Sequence, residues 1–367
     1  MLRKLLIATI IILLIGSVIT AYKLGIISPC ITYEYKVCIV LTNVGMVNTK
    51  VDVEELYPLL ILVPSIPGWQ SLRSYTIYVN GRVANHIFKV KRDIDGNLYL
   101  TSDYEFTVRP KKSLNITLVQ IVDVHWAPFG TTLFRKTATL SQGIVLNNLL
   151  DLKYYIMPSG LWDFNSNSKV YDWSSIKDFV SRIMRMKKTP KERLTYFVSW
   201  MKQNIAYVPP TKGVRHPTIT FRFKRGACGD QTALIVSILR MMKIYSFAYI
   251  ALVYDESVVG KPIISGPFQI NYIRVKRHAF AMASLDGVHW FPIDTTYNSL
   301  NTPIEYSAIN IRDNVIVLAQ VVVSDMNKFL VIKLPEGDFS MKVTMELKII
   351  EDPILRLLRI IFGVTRS

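Results

Sequence analysis

Residues 224–235 read Lys224-Arg225-Gly226-Ala227-Cys228-Gly229-Asp230-Gln231-Thr232-Ala233-Leu234-Ile235, and they set a lone thiol where an apolar run begins. No charge stands between Asp230 and Arg240, and Ala233, Leu234, Ile235, Val236, Ile238 and Leu239 cover most of a helical circumference. A helix that is apolar nearly all round is a buried central helix, so Cys228 is expected at the mouth of one. At that position the dipole and the unsatisfied N–H groups of the first turn favour a thiolate. The same N–H groups can receive an oxyanion. Gly226 and Gly229 keep the approach open, and no neighbouring Cys offers a disulfide or a metal site.

A thiol nucleophile needs a base, and the base needs a group to orient it. His278 falls within a strand expected over Tyr272–Leu285, and Asp294 ends the next, expected over Val288–Ile293. The turn between them decides whether the two side chains can meet. With a two-residue Asp286-Gly287 loop they point to opposite faces. With a three-residue Leu285-Asp286-Gly287 loop, Gly287 takes the left-handed position of a bulge. Residue 284 then faces 288 and His278 faces Asp294, with Cβ atoms about 4.5–5.5 Å apart. The three-residue register is the expectation. The plainer reading is an inert core Cys and a strand His that is merely hydrogen-bonded. Cys, His and Asp in order on successive elements argue against it.

Four blocks carry a family resemblance. Arg225–Asp230, His278-Ala279-Phe280 and Trp290-Phe291-Pro292-Ile293-Asp294-Thr295-Thr296 resemble the signature blocks of the transglutaminase-like superfamily, and the helix ending Trp200–Tyr207 fits as well. The resemblance covers about 172–300. It implies a papain-like α+β core with Cys228 as nucleophile, His278 as base and Asp294 as orienter. Phe280 stands where many members carry Trp, and no side-chain oxyanion donor can be matched. The implied chemistry is thiolate attack on an amide carbonyl through a thioester. Water as acceptor makes a peptidase or amidase, which is favoured; an amine makes a cross-linking acyltransferase. A catalytically silent surface scaffold or adhesion module is the alternative of another class. Peptide N-glycanases usually carry paired CxxC zinc sites, and arylamine acetyltransferases place the Cys block near the chain start; neither pattern occurs here. No cofactor is called for.

Around this core, 367 residues that are 50% hydrophobic leave room for a second domain. Met1-Leu2-Arg3-Lys4 is a cationic head, and Leu5–Tyr22 runs 18 residues without a charge. That length can just span a bilayer with the N-terminus inside. Residues 5–22 are therefore read as an uncleaved anchor, because Gly16–Ala21 show no clean small-x-small cleavage site. Most of the chain is then extracytoplasmic, where Cys30 and Cys38 either pair or serve as small strand hydrophobes.

Residues 30–124 alternate as short strands with turns at Asn80-Gly81 and Asp95-Gly96, the pattern of an Ig-like antiparallel sandwich. Such β-rich segments are similar to N-terminal domains of prokaryotic members of the family. Asp93–Asn97 resembles the start of a calcium loop but lacks the later ligands and the closing Glu, so it reads as a turn. A poorly periodic connection fills 125–170, the catalytic core 171–300 and a β segment 301–351. Within the core, Thr189-Pro190-Lys191-Glu192 is a capping box with Pro at the first helical position. Residues 352–367 read as a short basic amphipathic helix.

The net charge is +17, and from Lys177 to Arg225 there are 13 Lys or Arg against two acidic residues. A solvated helix face accounts for most such runs. The sharper expectation is a cleft that attracts an acidic polypeptide. Outside the cytoplasm nucleic acid is not an expected partner.

Overall fold

The computed structural model describes residues 9, 16, 30–125, 144–146, 150–165, 171–210, 213–296 and 314–351. The strands are β1 (Cys30–Asn43), β2 (Gln70–Val79), β3 (Ser113–His125), β4 (Tyr245–Val259), β5 (Phe268–Ser284), β6 (His289–Ile293), β7 (Val315–Val321) and β8 (Phe339–Glu351). The helices are α1 (Ser174–Met186), α2 (Pro190–Asn204), α3 (Pro217–Phe223) and α4 (Cys228–Met241).

Side-chain size along β4, β5 and β7 explains how the layers stack. Ala248, Ile250, Ala279, Ala281, Ala283, Ala319 and Val321 share one buried core with α4. Phe247, Tyr249, Phe280 and Met282, which alternate with them, share the other with Trp69, Tyr155 and Trp290. Alternate residues of a strand face opposite ways, so one face is paved with small side chains that let α4 approach closely. The other carries the rings. Helices therefore cover one side of the sheet and the N-terminal β layer the other, a mixed α+β architecture.

The sheet itself is larger than the strand pattern predicts. One 11-stranded sheet runs in the order β7-β4-β5-β8-β1-β3-β2 and on to Arg82–Val83. β8 makes it mixed: it is antiparallel to β1, with Val37 opposite Met345, and parallel to β5, with Ile270 opposite Val343. The Ig-like sandwich expected over 30–124 is thus not self-contained. β1, β2 and β3 continue the sheet that holds β4, β5 and β7, with β8, the last described strand, inserted between. Phe339, Met341, Val343, Met345 and Leu347 of β8 are all buried, so an apolar stripe on this strand makes the join.

A second join is polar. The buried Asp95 carboxylate accepts hydrogen bonds from the backbone N–H of Val322, Val323 and Ser324 at 3.0, 2.6 and 3.1 Å. Asn97 exchanges hydrogen bonds with the backbone of Gln320. The Asp93–Asn97 turn is a docking element, which alternation alone does not reveal. Arg240, fully buried at the end of α4, donates to the carbonyls of Met157, Ser246 and Val322.

Cys30 and Cys38 lie on the one strand β1 and form no disulfide. Eight residues of extended chain separate them by about 26 Å, which excludes pairing and leaves the strand-residue reading. The anchor read over 5–22 lies, apart from Thr9 and Gly16, outside the described residues, as does the helix read over 352–367. Among the described residues no helix is long and apolar enough to cross a membrane.

Candidate active site

α4 begins at Cys228, as its flanking glycines predict, with Ala227 extended before it at φ −74° and ψ 177°. The turn is built by Asp230. Its carboxylate accepts from the N–H of Ala227 at 2.9 Å and of Arg215 at 2.7 Å. The Cys228 and Gly229 N–H groups have no acceptor among the described residues, as expected of an open helix end. Gly226 has a steric reason to be glycine: a Cβ there would sit 2.7 Å from Asp230 Cβ and 3.0 Å from Thr220 Cγ2. Gly226→Ala is expected to cost about 1–3 kcal/mol and to slow Cys228 alkylation by displacing the turn. A denaturation midpoint equal to that of the parent would contradict this.

The β5–β6 turn departs from the expected register. Ser284 faces Trp290 and Ala281 faces Ile293, so neither the two-residue nor the three-residue loop is present. The turn is longer because Asp286 gathers it: its Oδ1 accepts from Ser284 Oγ and from the N–H of Val288 and His289. Gly287 does take the left-handed conformation, φ +77°. The pairing is displaced by two residues from 284 opposite 288, and an even displacement preserves faces. Extending the register puts Asp294 opposite Phe280, with His278 its diagonal neighbour on the same side.

The two meet. His278 Nε2 lies 2.6 Å from Asp294 Oδ2, with the side chains only 3% and 1% exposed. The other carboxylate oxygen, Oδ1, accepts from the Thr296 N–H at 3.0 Å and Oγ1 at 2.7 Å. With Nε2 engaged, Nδ1 is the nitrogen left for the Cys228 thiol, whose side chain interacts with the imidazole. Burial pushes the imidazole towards its neutral form, but the Asp294 charge and hydrogen bond and the contact with Cys228 outweigh it, and the pKa rises to about 10. Burial likewise opposes ionisation of Asp294, yet the charge and hydrogen bond of His278 keep its pKa below the ordinary carboxylate value.

Strand pairing gives the thiol access to this histidine. On one edge, β5 pairs with β8 only as far as Ile273 and with β6 only from Ala281. Among the described residues, 274–280 have no ladder partner on that edge, so His278 sits in a split between two departing strands. Arg277 bridges the split to the carbonyls of Phe329 and Leu330.

Gln231 is a contributor that sequence reasoning missed. Its Nε2 donates to the Gly226 carbonyl at 3.0 Å and its Oε1 accepts from Thr295 Oγ1 at 2.7 Å. It ties the Cys228 turn to the segment bearing Asp294. The available signal was its place three residues after Cys228, on the same helical face.

The family model described as Transglutaminase-like superfamily matches residues 177–295. These residues form a transglutaminase-like domain. The matched stretch contains Cys228, His278 and Asp294, and also the hydrogen-bonded Gln231 and Thr295. No curated protein matches the chain. Among solved structures, one described as "a Putative Cysteine Protease from Cytophaga hutchinsonii" is similar at TM-score 0.51 and 11% identity, covering 88% of this chain and 92% of that one. This likeness is one of fold, and it spans strands outside the transglutaminase-like domain as well. The periplasmic domain of TgpA from Pseudomonas aeruginosa is matched at TM-score 0.31 and 12% identity, over 75% of this chain and 92% of that one.

Proposed function

We propose that this protein is a membrane-anchored, extracytoplasmic thiol enzyme that hydrolyses amide bonds of polypeptides, with Cys228 as nucleophile, His278 as acid and base, and Asp294 as orienter. The observation that carries the reading is the buried His278–Asp294 hydrogen bond beside a thiol at an open helix end. In the resting site the Cys228 proton is held on His278 Nδ1 as an imidazolium paired with the thiolate, and in the reaction the sulfur attacks the carbonyl carbon. The Cys228 and Gly229 N–H groups receive the oxyanion. His278 then gives its proton to the departing amine, leaving a thioester. A water molecule, losing a proton to His278, attacks the thioester and releases the acid, which restores the thiolate and the protonated His278. Asp294 keeps Nε2–H donated to it throughout, which fixes the ring with Nδ1 towards the thiol.

The location rests on the cationic head and the uncharged residues 5–22 that follow. An acidic polypeptide is the preferred substrate on the strength of the basic run before Cys228. The test is incubation of the full chain with an unfolded acidic protein, counting new amino termini beside a Cys228→Ala control. New termini are expected only with the parent chain, and their rate should fall steeply with salt. Incorporation of an added amine without new termini would make the enzyme a cross-linker. Neither product would favour the silent scaffold.

A further inference from the structure

Lys224 closes α3 in the left-handed conformation, φ +54° and ψ 32°. Glycine is the usual residue there, because a side chain at positive φ is strained. The ammonium is half-buried, 3.7 Å from the centre of the Phe221 ring and 4.5 Å from that of Trp200. Burial lowers its pKa, and among the described residues no carboxylate pairs with it. A partly desolvated cation with no counter-ion is costly unless something supplies the missing charge.

Lys224 lines a cavity of about 770 Å³ together with Tyr171, Ser175, Phe221, Arg222 and Phe223. Arg222 adds a second cation, over the 57% exposed Phe223. Asp172 is the acidic residue of this lining, and it is occupied just before α1, accepting from Ser174 N at 2.8 Å and Oγ at 2.7 Å. Lys224 stands four residues before Cys228, so their Cα atoms lie within about 14 Å of each other even for extended chain.

We infer that this cavity is a substrate subsite in which Lys224 and Arg222 bind a carboxylate side chain of the polypeptide, while Phe221 and Phe223 take its aliphatic neighbours. The inference rests on the amide-attack reading and names the recognition element of that same site. A cavity with an aromatic floor suits a side chain entering it better than a flat lipid surface.

The test is binding rather than turnover. A fluorescein-labelled decapeptide of alternating Glu and Leu is titrated into the full-length Cys228→Ala chain at low ionic strength, beside a copy with Gln for Glu. The Glu peptide is expected to bind more tightly than the Gln copy. Lys224→Met should weaken the Glu peptide about tenfold, as loss of a charge-assisted contact does, and Lys224→Arg should retain it. Lys224→Gly relieves the backbone strain, so it should melt no lower than the parent yet bind as weakly as the Met variant.

An unchanged affinity in Lys224→Met, or equal loss for both peptides, would overturn the subsite. So would phosphatidylglycerol vesicles that bind through Lys224 while the peptide does not. Lys224-dependent binding without cleavage by the parent chain would leave the subsite standing and remove the amide-attack reading. Cleavage with no dependence on Lys224 would do the reverse.

Discussion

Replacing Asp294 with Ala is expected to cost about 3–5 kcal/mol of folding stability, because it leaves a buried imidazolium without its partner. Both side chains are almost wholly enclosed, so water cannot take over the lost interaction. The sign of the pH dependence follows from the raised pKa of His278, about 10 in the folded chain against a usual value of about 6.5. Stability gained by binding that proton is fully present below about 6.5 and is lost as pH rises towards the folded value. Asp294, held low, acts at the other end: its contribution is present above the ordinary carboxylate range and disappears in acid. The parent chain should therefore lose stability between about pH 6.5 and 10, at no more than about 1.4 kcal/mol per pH unit from this group. In Asp294→Asn that slope should flatten. Chemical denaturation at a series of pH values measures it. Parallel profiles for parent and Asn variant would show that the pair is not linked to folding.

The second large effect is on chemistry. His278→Ala should lower amide turnover by roughly 10²–10⁴-fold, the usual range for losing a positioned acid–base group. The loss should fall mainly on kcat, since the imidazole acts on protons in flight and not on substrate binding. Stability also drops, because Asp294 then stays charged in a site that excludes water. Combining His278→Ala with Asp294→Ala separates the two effects. The double variant should be less destabilised than the single changes summed, as neighbours sharing one interaction are not additive, while turnover stays at the His278→Ala level. Recovery of turnover together with stability would assign His278 a structural role only.

Much of this site can be read from residue types and their order. The helix mouth at Cys228, the Thr189–Glu192 capping box with its reciprocal hydrogen bonds and the left-handed Gly287 follow from local chemistry. What local chemistry could not supply was the length of the β5–β6 turn. Ser284, Asp286 and His289 act together there, and counting Asp-Gly as a short loop misses the carboxylate that spreads it. The pairing of His278 with Asp294 survived because the displacement was even; an odd one would have separated them.

Long-range sheet order was equally hidden. The alternation of β1, β3 and β8 is that of any half-buried strand, and it carries no record of which strands share an edge. The pairing of β8 with β1, and the docking of Asp95 on 322–324, depend on partners more than 200 residues away in sequence, and β8 reaches β5 across a further 73. The split at 274–280 is a product of that order, since β8 leaves β5 just before His278. Gln231 and Thr295 stood in plain view in the sequence, but only the fold brings them within 2.7 Å.

The proposed mechanism requires Cys228 and His278 to act as one unit. It is tested most directly by the rate at which iodoacetamide modifies Cys228 in the native full-length chain, followed on the Cys228 peptide by mass spectrometry, beside His278→Ala. Rapid modification of the parent at neutral pH is expected, with a rate lower by about tenfold or more without the imidazole, as for thiols activated by a neighbouring base. Equal rates in the two folded proteins would contradict it.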